Sequence, residues 1–262
     1  MTNTKRMKKF LSFPLVALAC ACVGGGTAGT EQAHFEWGIA KLCIENPIAP
    51  DAKECYHIEL NLDTLGGDGA LAAELSAVLR DSVLYAPVRA TVIETMAAFA
   101  DSLETEWKTE LAEWYDPDAE YKDMYQYYYK VDGRPTEQAS DSILSYITTT
   151  DCYLGGAHGS YVIHYYNFDR KGGKLIDIKD VVPADKKAQV LKAMEQQLCK
   201  DWGALNLADL QQKTGITMLG DLYLTNNFLL KGDSIEFLFN QYEIAPYAAG
   251  LIGITIPLPA NQ

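Results

Sequence analysis

Between Ser142 and Phe168, two β-prone runs rich in Ile, Thr and Tyr are separated by Leu154-Gly-Gly-Ala-His-Gly159. This constrains the chain more than any other stretch. Glycine reaches positive φ without steric penalty, so three glycines in six residues predict a tight reversal. The flanking runs must then lie antiparallel, the first over 142–153 and the second over 160–168. A second unusual stretch, Tyr242-Glu-Ile-Ala-Pro-Tyr-Ala-Ala-Gly250, answers it near the end.

The remaining pattern supplies layers around that pair. Tyr56, Ile58, Leu60 and Leu62 alternate with His57, Glu59, Asn61 and Asp63, the period of a half-buried strand. A strand over 34–44 precedes it, and Asn46-Pro-Ile-Ala-Pro-Asp51 makes the pair a hairpin. Leu71, Leu75, Val78 and Leu79 follow at helical spacing. A second helix begins near Pro87 and carries Val92, Met96, Phe99, Leu103, Trp107, Leu111 and Trp114 or Tyr115 on one stripe. Further strands are expected over 124–131, 167–178 (around a glycine turn), 228–230, 234–239 and 253–258, with helices over 184–200 and 207–213. This order predicts an α+β fold of antiparallel sheets with packed helices. Turn residues cluster between 133 and 141, which suggests an N-terminal domain over 34–135 and a C-terminal domain over 136–262.

The first residues read differently. Lys5, Arg6, Lys8 and Lys9 precede the apolar run 10–19 and then small residues, the pattern of a secretory signal. The run is too short for a permanent membrane helix. Cys20 and Cys22 both stand where a bacterial lipoprotein carries its lipid. A signal over 1–21 would leave Cys22 lipidated, followed by a flexible glycine-rich tether over 22–33. Plain secretion after Ala19 or Ala21 is the other reading. The expected location is the cell envelope, lipid-anchored at the outer membrane or cell surface.

Cleavage before Cys22 leaves Cys43, Cys55, Cys152 and Cys199, an even set open to three disulfide connectivities. Cys43 with Cys55 and Cys152 with Cys199 is the preferred pairing, because the first pair brackets a short turn. No CxxC or CxxH spacing suggests a metal. The net charge is −13, and removing the signal leaves 18 basic against 35 acidic residues, or −17. Such acidity argues against nucleic acid and anionic membrane surfaces as partners and would attract a basic protein.

Catalytic patterns are sparse. Leu65-Gly-Gly-Asp-Gly69 lacks both the Lys-Ser/Thr of a phosphate loop and the spacing of a dinucleotide turn, so no cofactor is implied. Gly159-Ser160 lacks the flanks of a nucleophile elbow. His158 and His164 lie six residues apart, roughly 20 Å along a strand, too far to share a metal. The candidate binding residues are His158 with Gly155 and Gly156, and Tyr242, Glu243 and Tyr247. Within each set a structural role, glycines making a β-connection and Glu243 holding backbone N–H groups, competes with a functional one. A hydrolase using His158 and Glu243 is the catalytic alternative.

Gly155-Gly-Ala-His-Gly159, Tyr165-Tyr-Asn-Phe-Asp169, Gly173-Lys-Leu175, Asp180-Val-Val182 and Tyr242 to Gly250, in this order, resemble the C-terminal domain of the RsiV-like family, which PdaC-like proteins share. Residues 35–130 look like the PdaC-type companion domain that precedes it. In anti-sigma members of the family this module binds lysozyme, a basic enzyme. Their signalling segments and the deacetylase domain of the PdaC-like proteins have no counterpart in the sequence. The resemblance therefore implies an envelope-anchored binding or sensing protein without catalysis, with a lysozyme-like protein or a peptidoglycan fragment as its partner.

Overall fold

A computed structural model describes residues 36–49, 52–85, 91–136 and 141–259. The expected signal and tether, with Cys20, Cys22, His34 and Pro87, lie outside the described residues.

Among the described residues, eight strands form two sheets. The first runs β1 (Trp37–Pro47), β2 (Cys55–Leu65), β3 (Tyr128–Pro135), β4 (Ile143–Tyr153), β5 (Ser160–Asp169), in that spatial order. The second is β6 (Phe228–Lys231), β7 (Ser234–Phe239) and β8 (Ile252–Pro257). All pairs are antiparallel except β2–β3. That parallel pair needs a crossover, which α1 (Ala70–Val78) and α2 (Val92–Trp114) provide. A π-type turn, Leu79–Val83, continues α1. The three later helices are α3 (Ile178–Val181), α4 (Lys187–Asp201) and α5 (Leu207–Thr214).

The alternation read in β2 is realised in full. Tyr56, Ile58, Leu60 and Leu62 are buried against the helices, while the residues between them face the other side of the sheet. On α2 the stripe Val92, Met96, Ala100, Trp107 and Leu111 is buried, and Thr91 and Glu94 close its start as a reciprocal capping box. Tyr115 is half-buried, whereas Trp114 is 68% exposed, so the stripe ends on the tyrosine.

Three expectations change. The segment after β5 forms no further strand beyond an isolated Phe168–Leu175 bridge, because Asp177 caps a helix that starts at Ile178. The join expected at 135/136 falls inside the first sheet, where β3 and β4 are neighbours. The apolar packing changes cluster further on, between Phe168 and Ile178. The four cysteines are free thiols. Cys43 stands opposite Glu59 and Cys55 opposite Pro47. They are thus displaced four positions along adjacent strands, roughly 13 Å and beyond disulfide reach. Cys152 lies on β4, and Cys199 is buried on α4.

The helix layer is fastened to the sheet by one buried carboxylate. Glu104, 5% exposed, accepts from the Tyr56 hydroxyl at 2.5 Å, from Asn46 Nδ2 at 2.7 Å and from Lys108 Nζ at 3.3 Å. Burial alone would raise its pKa. The hydrogen bonds from Tyr56, Asn46 and Lys108 outweigh burial and hold it below the ordinary glutamate range. A depressed folded-state pKa means the stabilisation is present above the ordinary range and is lost as pH falls through the folded value. Glu104→Ala leaves the Tyr56 hydroxyl without its acceptor and the Asn46 amide with only its 3.3 Å bond to that hydroxyl, and costs about 2–4 kcal/mol in urea unfolding at pH 7. The variant also loses less stability than the parent between pH 5 and pH 3; equal acid sensitivity would refute the assignment.

Candidate functional site

The outer edge of β5 leads to the site. An edge strand turns alternate N–H and C=O groups outward, where they need partners. Here side-chain amides take the place of a sixth strand. Tyr165 N donates to Asn227 Oδ1 (2.9 Å), Ile163 N to Asn240 Oδ1 (2.9 Å) and Tyr161 N to Gln241 Oε1 (3.3 Å). Asn227 and Asn240 also donate their Nδ2 groups to the Ile163 carbonyl, at 2.8 and 3.1 Å. At the inner end, Asn167 Nδ2 donates to the Phe228 carbonyl at 2.7 Å, and Ser145 donates to Asn167 Oδ1 at 2.7 Å. Each asparagine presents a donor and an acceptor spaced like a peptide unit, so the second sheet docks on the first through amides.

Where this seam ends, the two unusual stretches of sequence meet. The β4–β5 turn carries Gly155 at φ 81° and Gly156 at φ 93°, as its glycines predict. A Cβ on Gly155 would sit 2.6 Å from the Tyr127 hydroxyl. His158 follows, exposed, and its ring stacks on Tyr247 with centroids 3.8 Å apart and planes 20° apart. Tyr242 brings its hydroxyl to 3.3 Å from His158 Nε2, and the Tyr247 hydroxyl donates to the Gly159 carbonyl at 3.1 Å. The three rings form one ledge between the sheets.

Tyr242 is the outlier of this ledge. It holds φ 68°, a left-handed conformation costly to a bulky residue, and remains 57% exposed. The turn that imposes it is closed twice: Glu243 N donates to the Asn240 carbonyl, and Asn240 N donates to Glu243 Oε2, both at 3.1 Å. Glu243 is therefore engaged in holding the turn. Its charge also lies near Tyr223, raised in pKa chiefly by burial and then by this carboxylate, and near His164, which burial lowers. Of the expected residues, the structure brings together His158, Tyr242, Tyr247 and the Gly155–Gly156 turn. Glu243 supports them from beneath, in bonds of its own.

Sequence alone missed the amides. Asn227, Asn240 and Gln241 lie 62 to 80 residues from the β5 groups that they meet, and no local pattern announces such a contact. The tyrosines divide by alternation. Tyr127 and Tyr146 are buried on the helix side, while Tyr128 and Tyr153 stack on the other face with centroids 6.5 Å apart. Tyr128 donates to Asp151 there at 3.1 Å. Among the described residues no group of three His, Cys, Asp or Glu side chains is placed to hold a metal ion.

Residues 179–258, from α3 to β8, match a family described as a protein of unknown function, DUF3298. No curated protein matches the chain. A member of the DUF3298 family from Bacteroides fragilis superposes with a TM-score of 0.70 at 22% identity, over 85% of this chain and 90% of that one. A DUF3298 family protein from Pseudomonas aeruginosa gives 0.60 at 16% identity, over 86% of this chain and 92% of the other. At these identities the likeness is one of fold alone.

The seam has a direct test. Asn240→Ala removes the acceptor of the Ile163 N–H and one of the two donors to its carbonyl, and costs about 1–3 kcal/mol in thermal or urea unfolding. The Ile163 amide then exchanges faster with solvent than the amides of β2, which the change does not touch. Unaltered exchange at Ile163 would show that the amide carries no weight.

Proposed function

We propose that this chain is a non-catalytic binding protein of the bacterial cell envelope, with His158, Tyr242 and Tyr247 as its docking ledge. It is exported on an N-terminal signal and held by a lipid on Cys22 once residues 1–21 are removed, or on Cys20 if the signal ends at Ala19. Its favoured partner is a basic protein of lysozyme type. The observation that carries this reading is Tyr242. Backbone strain around a bulky, exposed side chain persists only where the surroundings enforce it, and such strain clusters at functional positions. Here two hydrogen bonds enforce it and a large ring is presented to solvent. Tyrosine offers a broad contact area with a polar tip at small entropic expense, which suits an interface.

The net charge of −13 supports a cationic partner. The resemblance to RsiV-like and PdaC-like proteins points to lysozyme among such partners. A peptidoglycan fragment is the second reading, supported by the exposed face of Tyr242, on which a sugar ring can stack. A hydrolase built from His158 and Glu243 fits less well, because Glu243 accepts from Asn240 N and lies against Tyr223 and His164.

Titration of the full chain with lysozyme at low and moderate salt tests the proposal. Binding is expected to weaken with salt and to fall about tenfold or more in Tyr242→Gly, as for loss of a central aromatic contact. Glycine relieves the left-handed strain, so the same variant is no less stable than the parent. Binding that survives this change would move the interface elsewhere. Absence of lysozyme binding alongside binding of peptidoglycan fragments would select the second reading.

A further inference from the structure

We propose that β1 pairs antiparallel with β1 of a second copy of this chain, about a two-fold axis at Cys43, joining two five-stranded sheets into one of ten. β1 is the end strand of its sheet and is 11 residues long. The Glu36 carbonyl accepts from Gly66 N, and Ile48 N donates to the Glu54 carbonyl. Even-numbered residues therefore direct their backbone groups to β2, and the odd-numbered ones direct theirs outward. Among the described residues nothing meets those outward groups of Ile39, Lys41, Cys43 and Glu45. Ile39 is also 61% exposed on this strand. A long, unpaired edge with an exposed isoleucine is a template for another strand.

Charge selects the occupant and the register. With Cys43 facing Cys43, Lys41 of each copy stands opposite Glu45 of the other, giving two opposite-charge pairs on the open face. On the helix-covered face, half-buried Leu42 stands opposite half-buried Ile44 of the other copy, and the reverse. Ile39 meets Pro47. Centring the axis on Leu42 instead sets Lys41 against Cys43 and Ile39 against Glu45. Centring it on Ile44 sets Lys41 against Pro47. Only the Cys43 register matches charge to charge and apolar to apolar at once. The odd-numbered residues then form the hydrogen-bonded pairs, as their outward groups require.

The arrangement has a consequence for binding. β5 and its ledge lie at the far side of each sheet from β1. Two ledges would stand nine strand spacings apart, roughly 43 Å before twist is counted. Such a dimer engages two partners, or two points of one surface, at once.

The test is a charge swap. The full chain in detergent is followed by light scattering over a concentration series, with thermal unfolding to check that each variant folds. Lys41→Glu and Glu45→Lys each place like charges opposite one another and raise the dimer dissociation constant by about tenfold or more. The double variant restores the pairs in reverse and returns the constant to near that of the parent. A short bis-maleimide links the parent through Cys43, and the product disappears in Cys43→Ser while persisting in Cys55→Ser. A monomer at every concentration, a swap that fails to restore association, or a cross-link that survives Cys43→Ser overturns the proposal.

Discussion

The two sheets depend on how the outer edge of β5 is closed. A sixth strand would have satisfied its N–H and C=O groups with a continuous ladder. Asn227, Asn240 and Gln241 instead satisfy them one at a time, from the start of β6 and the end of β7. The difference is geometric. A ladder forces strands to run side by side, whereas side-chain amides let the second sheet approach at its own orientation while leaving few polar groups stranded. Asn227 and Asn240 are each 6% exposed, so an apolar residue there would strand β5 groups inside the seam. The ledge is the solvent end of this same arrangement. Gln241 and Tyr242 follow Asn240 directly, and the Tyr247 hydroxyl reaches the Gly159 carbonyl, one residue before β5 begins.

How far the sequence led is best judged on particular residues. The strands were legible because their period is local: Tyr56 to Leu62 alternate, and all four apolar members are buried. α2 was legible through its 3.6-residue stripe. The β4–β5 reversal was legible because Gly155 and Gly156 sit at positive φ. The parallel β2–β3 pair was not, since pairing direction across a helical crossover leaves no mark on either strand. The division of the chain was misplaced for a related reason. Polar residues between 133 and 141 look like a linker, yet β3 and β4 pair through the sheet on either side of them. The Cys43–Cys55 pairing failed on register, which parity cannot supply. Within the site, His158, Tyr242 and Tyr247 were found because their stretches are odd in composition. Their convergence, and the amides beneath them, required the fold.

Charge is distributed unevenly. Residues 101–124 hold nine acidic and two basic residues, and both lysines are engaged, Lys108 with Glu104 and Lys122 with Glu54. Glu106, Glu110 and Glu113 line a shallow hollow of about 680 Å³ along α2. Trp114 and Tyr121, in the same acidic stretch, are 68% and 74% exposed. Negative charge is therefore dense along α2, whose Glu110 accepts from the Tyr127 hydroxyl beside the Gly155 turn. A field of this kind acts on encounter rates more than on the final contact. It draws cationic molecules toward the protein over a Debye length and weakens as salt is added.

Rigidity links the ledge to the seam. A ring on a mobile loop loses conformational freedom when it binds, and that loss subtracts from affinity. Tyr242 is fixed in advance by the paired Asn240–Glu243 hydrogen bonds, and Tyr247 by the Gly159 carbonyl and the His158 ring. Asn240 is shared: its side chain closes β5 through Ile163, and its backbone anchors the turn that holds Tyr242. The residue that satisfies the sheet edge is thus the one that sets the pose of the exposed ring. Folding energy drawn from burying those amides is spent partly on keeping Tyr242 strained. Loosening the seam would therefore loosen the ledge, even though the three aromatic side chains were left unchanged.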